Sequence, residues 1–127
     1  MKRVQTGSHC RSKRSKNGIF QAVYDLNGVR PEYIWQVESP TDLNRMIAKT
    51  KQARQQGAVI ALDAVHTGNE YWNAPSERQV KQGHTLLDSA QFDMVYVYHA
   101  HAIQPIEMYN GKWIPYGLGN PISETSP

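Results

Sequence analysis

The sequence predicts an α/β domain, and three observations carry that reading. Residues 58–62 and 94–98 are short, continuous apolar runs of strand length, as expected for strands covered on both faces. Each run is preceded by a stretch with apolar residues at helical spacing. The resulting order, strand, helix, strand, helix, strand and a closing hairpin, is the alternation that builds a sheet with helices packed on it.

The elements follow in chain order. Residues 1–17 are small, polar and basic, with Lys2, Arg3, Arg11, Lys13, Arg14 and Lys16 crowded together. They read as a disordered basic tail, leaving one domain over 18–127. Residues 19–24 read as a first strand, closed by the turn signal Asn27-Gly28. Residues 31–38, with Tyr33, Ile34, Trp35 and Val37, read as a loop or a short edge strand. A first helix opens at a Ser39 or Thr41 cap, with Asp42 suited to the positive end of the dipole. It carries Leu43, Met46, Ile47, Thr50 and Ala53 on one face and stops at Gly57. Ser76 and Gln79 have capping-box spacing at the head of a second helix, which puts Val80, His84 and Leu87 on one face. His84 reads there as a packing or surface residue. Residues 106–109 and 113–116 flank Asn110-Gly111 as a tight hairpin. Pro115 moves its second arm toward a sheet edge.

Composition excludes several classes. The 127-residue chain carries a net charge of +3, concentrated in the first residues. That cluster has no interleaved aromatic platform, so nucleic acid is not an expected partner. No apolar centre follows it, so it is not a signal peptide. No stretch approaches the run of about twenty apolar residues that a membrane helix needs. Cys10 is the one cysteine, so no intrachain disulfide can form.

The chemistry-bearing residues gather after the two central strands. His66-Thr67-Gly68-Asn69-Glu70 follows the first and His99-Ala100-His101, then Gln104, the second. In α/β sheets, ligands bind at the carboxyl ends of strands. An extended H-x-H segment points both rings to one side, a natural pair of metal ligands. By spacing alone such a pair is more often two ordinary half-buried histidines. Asp63 and Glu70 are carboxylates close enough in sequence to orient the His66 ring, or simply polar groups at a strand end and in a loop. Gly117-Leu118-Gly119-Asn120 lacks the lysine and the following helix of a phosphate loop, and Asn120 offers its amide to a site.

Taken in order, His66-Thr67-Gly68-Asn69-Glu70-Tyr71, Pro75, Gln79, Leu87-Asp88, His99-Ala100-His101, Gln104-Pro105-Ile106-Glu107, Tyr109-Asn110-Gly111-Lys112 and Tyr116-Gly117-Leu118-Gly119-Asn120 resemble the CapA family of bacterial capsule and poly-γ-glutamate biosynthesis proteins. The family reads His-Trp-Gly-x-Glu-Tyr, Gly-His-His-Pro-His with Gln-Pro shortly after, and Tyr-Ser-Leu-Gly-Asn. Residues 24–28 are similar to a segment that precedes these motifs, so the resemblance runs from about Gly18 to Asn120. Departures are Thr67 for tryptophan, Val97-Tyr98 for Gly-His, Ala100 for proline, and Pro121 where an aromatic usually follows.

The resemblance implies the C-terminal half of a calcineurin-like metallophosphatase fold. It implies a partial metal-dependent hydrolase site for Mn, Zn or Fe, with His66, His99 and His101 as ligands and Glu70, Gln104 and Asn120 lining it. The family's early Gly-Asp and asparagine motifs have no counterpart before Gly18, so the site is expected to be incomplete, the chain truncated, and activity alone slight or absent. The alternative is a non-catalytic binding or scaffolding subunit of a capsule or polyglutamate assembly. Uncovered sheet edges imply self-association. Relatives are often membrane-anchored or exported; the chain as written is expected in the cytoplasm.

Overall fold

The computed structural model describes residues 8–11, 16–23 and 42–120, the first two stretches as backbone. Six strands form one sheet in the order β1-β2-β3-β4-β6-β5. They are β1 (Ser8–Arg11), β2 (Lys16–Val23), β3 (Ala58–His66), β4 (Met94–Tyr98), β5 (Ile106–Tyr109) and β6 (Lys112–Pro115). Strands β2, β3, β4 and β6 run parallel, and antiparallel β1 and β5 close the two edges. Helices α1 (Leu43–Gln55) and α2 (Glu77–Asp88) make the crossovers from β2 to β3 and from β3 to β4. From β2 onward the α/β order predicted from sequence is the order observed.

Sheet pairing begins earlier than the sequence reading placed it. Ser8–Arg11 pairs with residues 16–19, so part of the expected disordered tail forms the edge of the sheet. Backbone pairing at an edge does not require apolar side chains, which is why polar, basic residues concealed it. Residues 24–41, including the predicted turn at Asn27-Gly28 and the segment 31–38, lie outside the described residues.

Local chemistry sets the helix ends. Asp42 itself is the N-cap of α1, its Oδ1 accepting from the Arg45 amide at 3.1 Å, so the start falls one residue beyond Thr41. Ser76 and Gln79 close a reciprocal capping box on α2. In the hairpin, Asn110 (φ 49°) and Gly111 (φ 76°) turn between β5 and β6 in the left-handed conformation that this residue pair tolerates best.

Both helices pack on one face of the sheet. Met46 from α1 and Leu86 and Leu87 from α2 meet Ala61, Val65, Val95, Val97, Ile114 and Tyr116 in one core. Among the described residues, helices cover one face only, where the sequence predicts cover on both. Ala61, Asp63 and Val65 alternate with half-buried Leu62, Ala64 and His66, and β4 alternates the same way. Sequence alone could not reveal the alternation, because apolar residues occupy both sides. A register shift where β2 meets the start of β3 resets the pleat there. On the open face, Leu62, Met94, Trp113 and Met108 stand in one cross-strand row. The proline prediction is also corrected: β6 lies inside the sheet and β5 takes the edge. Pro115 is the last residue of β6, past the Met94–Trp113 pairing with β4, so its missing N–H costs no ladder bond to β4.

Arg54 ties the layers together at the amino end of the central strands. Its guanidinium donates to the carbonyls of Gln91 (3.1 Å), Ala58 (3.3 Å) and Val59, and pairs with Asp93 at 2.6 Å. The same Asp93 oxygen accepts from the Ala61 amide at 2.8 Å.

Candidate metal centre

Three loops converge at the carboxyl edge of the sheet: one after β3, one after β4 and one after β6. They are stitched to each other by backbone bonds from Thr67 to Tyr98 (2.9 Å), from Tyr71 to Ala100 (2.6 Å) and from Gln104 to Gly117 (2.9 Å). On them the structure brings together Glu70, His99 and His101, each offering one ligand atom within 4.8 Å of the others. A carboxylate with two imidazoles is a donor set suited to zinc, or to iron with open positions.

The hydrogen bonds orient both histidine rings. His101 Nδ1 bonds Asn120 Oδ1 at 2.9 Å, so it carries the proton and leaves Nε2 for a ligand. His99 Nδ1 meets His66 Nε2 at 2.9 Å, while His99 Nε2 lies 3.8 Å from Glu70. With its Nδ1 taken up by His66, His99 likewise turns Nε2 toward the cluster.

His66 therefore sits beside the triad rather than in it. His66, expected among the ligands, has its Nε2 against His99 Nδ1 and its ring packed 4.9 Å from that of Tyr98. Gln104 is placed behind the site, buried and bonded to Gln79, to the Trp72 carbonyl at 2.8 Å and to the Ala74 carbonyl at 3.1 Å. Asp63 does not orient His66. They are three positions apart along β3, so they face opposite sides, and Asp63 points into the helix-covered layer, where neither of its oxygens has a hydrogen-bond partner. Burial pushes its carboxyl up to about 7, the adjacent Ala64 amide opposing only in part.

Backbone strain concentrates at the same edge. Tyr71, His99 and His101 adopt φ of 62°, 133° and 54°. Such conformations cost of order 1–3 kcal/mol each for a non-glycine residue and persist where surrounding structure holds them. Gly68 (φ 137°) bears no such steric cost, and a Cβ there would lie 2.8 Å from Gln79 Nε2.

A second cluster escaped the sequence reading. His84 Nε2 lies 3.0 and 3.1 Å from the two oxygens of Glu107, and its ring stacks on Tyr109 with centroids 3.7 Å apart. The Tyr116 hydroxyl donates to Glu107 at 2.5 Å and, with His84, holds that carboxyl below its usual range. His84 is a packing residue as read, but one with an ionic partner; no sequence signal links residues 84, 107 and 116.

The chain matches the family of the bacterial capsule synthesis protein PGA_cap over residues 3–125. The chain belongs to that family. The PGA_cap match includes most of the basic N-terminal stretch, which the motif resemblance had left out. Among curated proteins, the PGA_cap chain is 33% identical over 81 residues to the PGA biosynthesis protein CapA of Bacillus subtilis, covering 64% of this chain and 21% of that protein. It is 32% identical over 82 residues to the capsule biosynthesis protein CapA of Bacillus anthracis, covering 65% and 20%. It is 31% identical over 93 residues to a protein of Mycobacterium tuberculosis named a probable polyglutamine synthesis accessory protein, covering 72% and 24%. The chain spans between a fifth and a quarter of the length of these relatives. Among the described residues, no helix of the PGA_cap chain is long and apolar enough to cross a membrane.

Proposed function

We propose that this chain supplies part of a divalent-metal site to a capsule or poly-γ-glutamate biosynthesis protein, with Glu70, His99 and His101 as its ligands. The observation that carries the reading is the convergence of those three side chains on strained loops, with Asn120 and His66 each occupying the Nδ1 of one ligand imidazole. Outer partners of this kind set the tautomer and direction of metal-binding histidines. Charge supports it too. Residues 66–75, 99–105 and 116–120 contain no lysine or arginine, so a bound Mn, Zn or Fe ion is the natural counter-charge for Glu70. A metal held by these three ligands would supply Lewis-acid polarisation of a bound oxygen or water, the chemistry of a partial hydrolase centre, with little activity from this chain alone.

The test is a manganese and zinc titration by calorimetry. Micromolar binding that raises the melting temperature, lost in His101→Ala and Glu70→Gln, supports the reading. Equal binding by wild type and both variants overturns it.

Exposed side chains favour a second reading, a binding or scaffolding subunit that associates through apolar surface. Tyr71 (74% exposed), Trp72 (62%) and Ile103 (73%) rim the site. Separation of the two is direct: a scaffold binds its partner in the presence of a chelator, and a metal-dependent subunit does not.

A further inference from the structure

We infer that Gln79 and Gln104 are the positioning residues of the cation site, an inference that rests on the metal reading just proposed. Neither touches the triad. Both are buried, at 0% and 3% exposure, where an unpartnered amide is costly. Together they form a relay in which each amide group has a single consistent role.

Gln79 Oε1 accepts from the Ser76 amide at 2.8 Å and from the Ser76 hydroxyl at 3.1 Å. Its Nε2 donates to Gln104 Oε1 at 3.0 Å and to the Tyr116 carbonyl at 3.4 Å. Gln104 Nε2 in turn donates to the carbonyls of Trp72 and Ala74. Turning either amide over would set N–H against N–H or oxygen against oxygen, so the relay reads in one direction only.

The ends of the relay are the three site loops. Trp72 and Ala74 belong to the loop that presents Glu70. Gln104 follows His99 and His101 on theirs. Tyr116 begins the segment that ends at Asn120, the partner of His101. Gly68 completes the arrangement, because only a residue without Cβ lets the Glu70 loop lie against the Gln79 amide. The capped end of α2 is thereby the fixed point from which the loops carrying Glu70, His99, His101 and Asn120 are held.

Two measurements on the full chain test this. The first is a manganese titration of Gln104→Leu and Gln79→Glu, with Leu87→Ala as a control that loosens the core without touching the loops. The Glu substitution at 79 keeps an acceptor for Ser76, so the helix cap survives. Both relay variants are expected to bind manganese about tenfold or more weakly, while Leu87→Ala lowers the melting temperature and keeps wild-type affinity. The second is the 1H–15N spectrum of the imidazole rings of the metal-free protein. The hydrogen-bonded Nδ1 signals of His99 and His101 are expected to broaden or vanish in the relay variants alone. Folded relay variants with wild-type ring spectra and wild-type affinity overturn the inference. If wild type itself binds no manganese, the metal reading fails, and the ring spectra still decide whether the two glutamines position the histidines.

Discussion

Among the described buried residues, Asp63 is the one whose charge responds to pH near neutrality, although it is almost inaccessible to solvent. Its carboxyl, 1% exposed and without a hydrogen-bond partner, titrates near 7 rather than at the ordinary 3.8. The folded state therefore keeps a proton that the unfolded chain has already released between those values. Stability is highest below the unfolded value and falls as pH rises through the folded one, by about 1.4 kcal/mol per pH unit and about 4 kcal/mol in all. Urea unfolding of wild type and Asp63→Asn from pH 4 to 8 measures this: the difference between the two curves should carry that slope, and parallel curves would contradict it. Nothing about the sequence marked Asp63 as buried and unpaired. It stands in an apolar run near His66, and only the pleat shows that the two face opposite layers. The histidines differ. Motif order singled out His99 and His101, but the H-x-H argument assumed an extended segment, and their φ of 133° and 54° beyond the end of β4 are not extended; the approach of Glu70 to them depends on a loop path that spacing does not encode.

At the level of elements, the capping box on α2 matters beyond the helix it closes. Ser76 Oγ accepts from the Gln79 amide at 3.3 Å and donates to Gln79 Oε1 at 3.1 Å. Ser76→Ala should lower stability by about 1 kcal/mol, read as a lower urea midpoint with an unchanged slope. A midpoint within error of wild type would mean that the cap is satisfied by solvent. The helices and the hairpin were readable because their signals are local: Ser76 with Gln79, Leu43 with Met46 and Ile47, Asn110 with Gly111. The position of β6 was not. Pro115 argued for an edge, and the pairing of Trp113 with Met94 that places β6 inside the sheet joins residues far apart in the chain. The same limit hid β1, whose polar residues join the sheet through their backbone.

At the scale of the molecule, the described residues cover the sheet asymmetrically. Both helices lie on one side, and among the described residues Leu62, Met94, Trp113 and Met108 form an apolar row on the other, Trp113 and Met108 each 51% exposed. Apolar side chains gain about 1.5–3 kcal/mol each on full burial, so this face is expected to drive self-association. Sedimentation should show a mass that rises with concentration, and Trp113→Lys with Met108→Lys should weaken the association by roughly tenfold or more. A single monomeric species at every concentration would contradict this. The loops at the carboxyl edge have a different consequence. His66, Glu70, His99, His101 and Asn120, with both relay glutamines, fall in one uninterrupted stretch of chain. One contiguous piece of coding sequence therefore carries the entire cluster, and a single recombination event could transplant it into another gene as an inherited cassette.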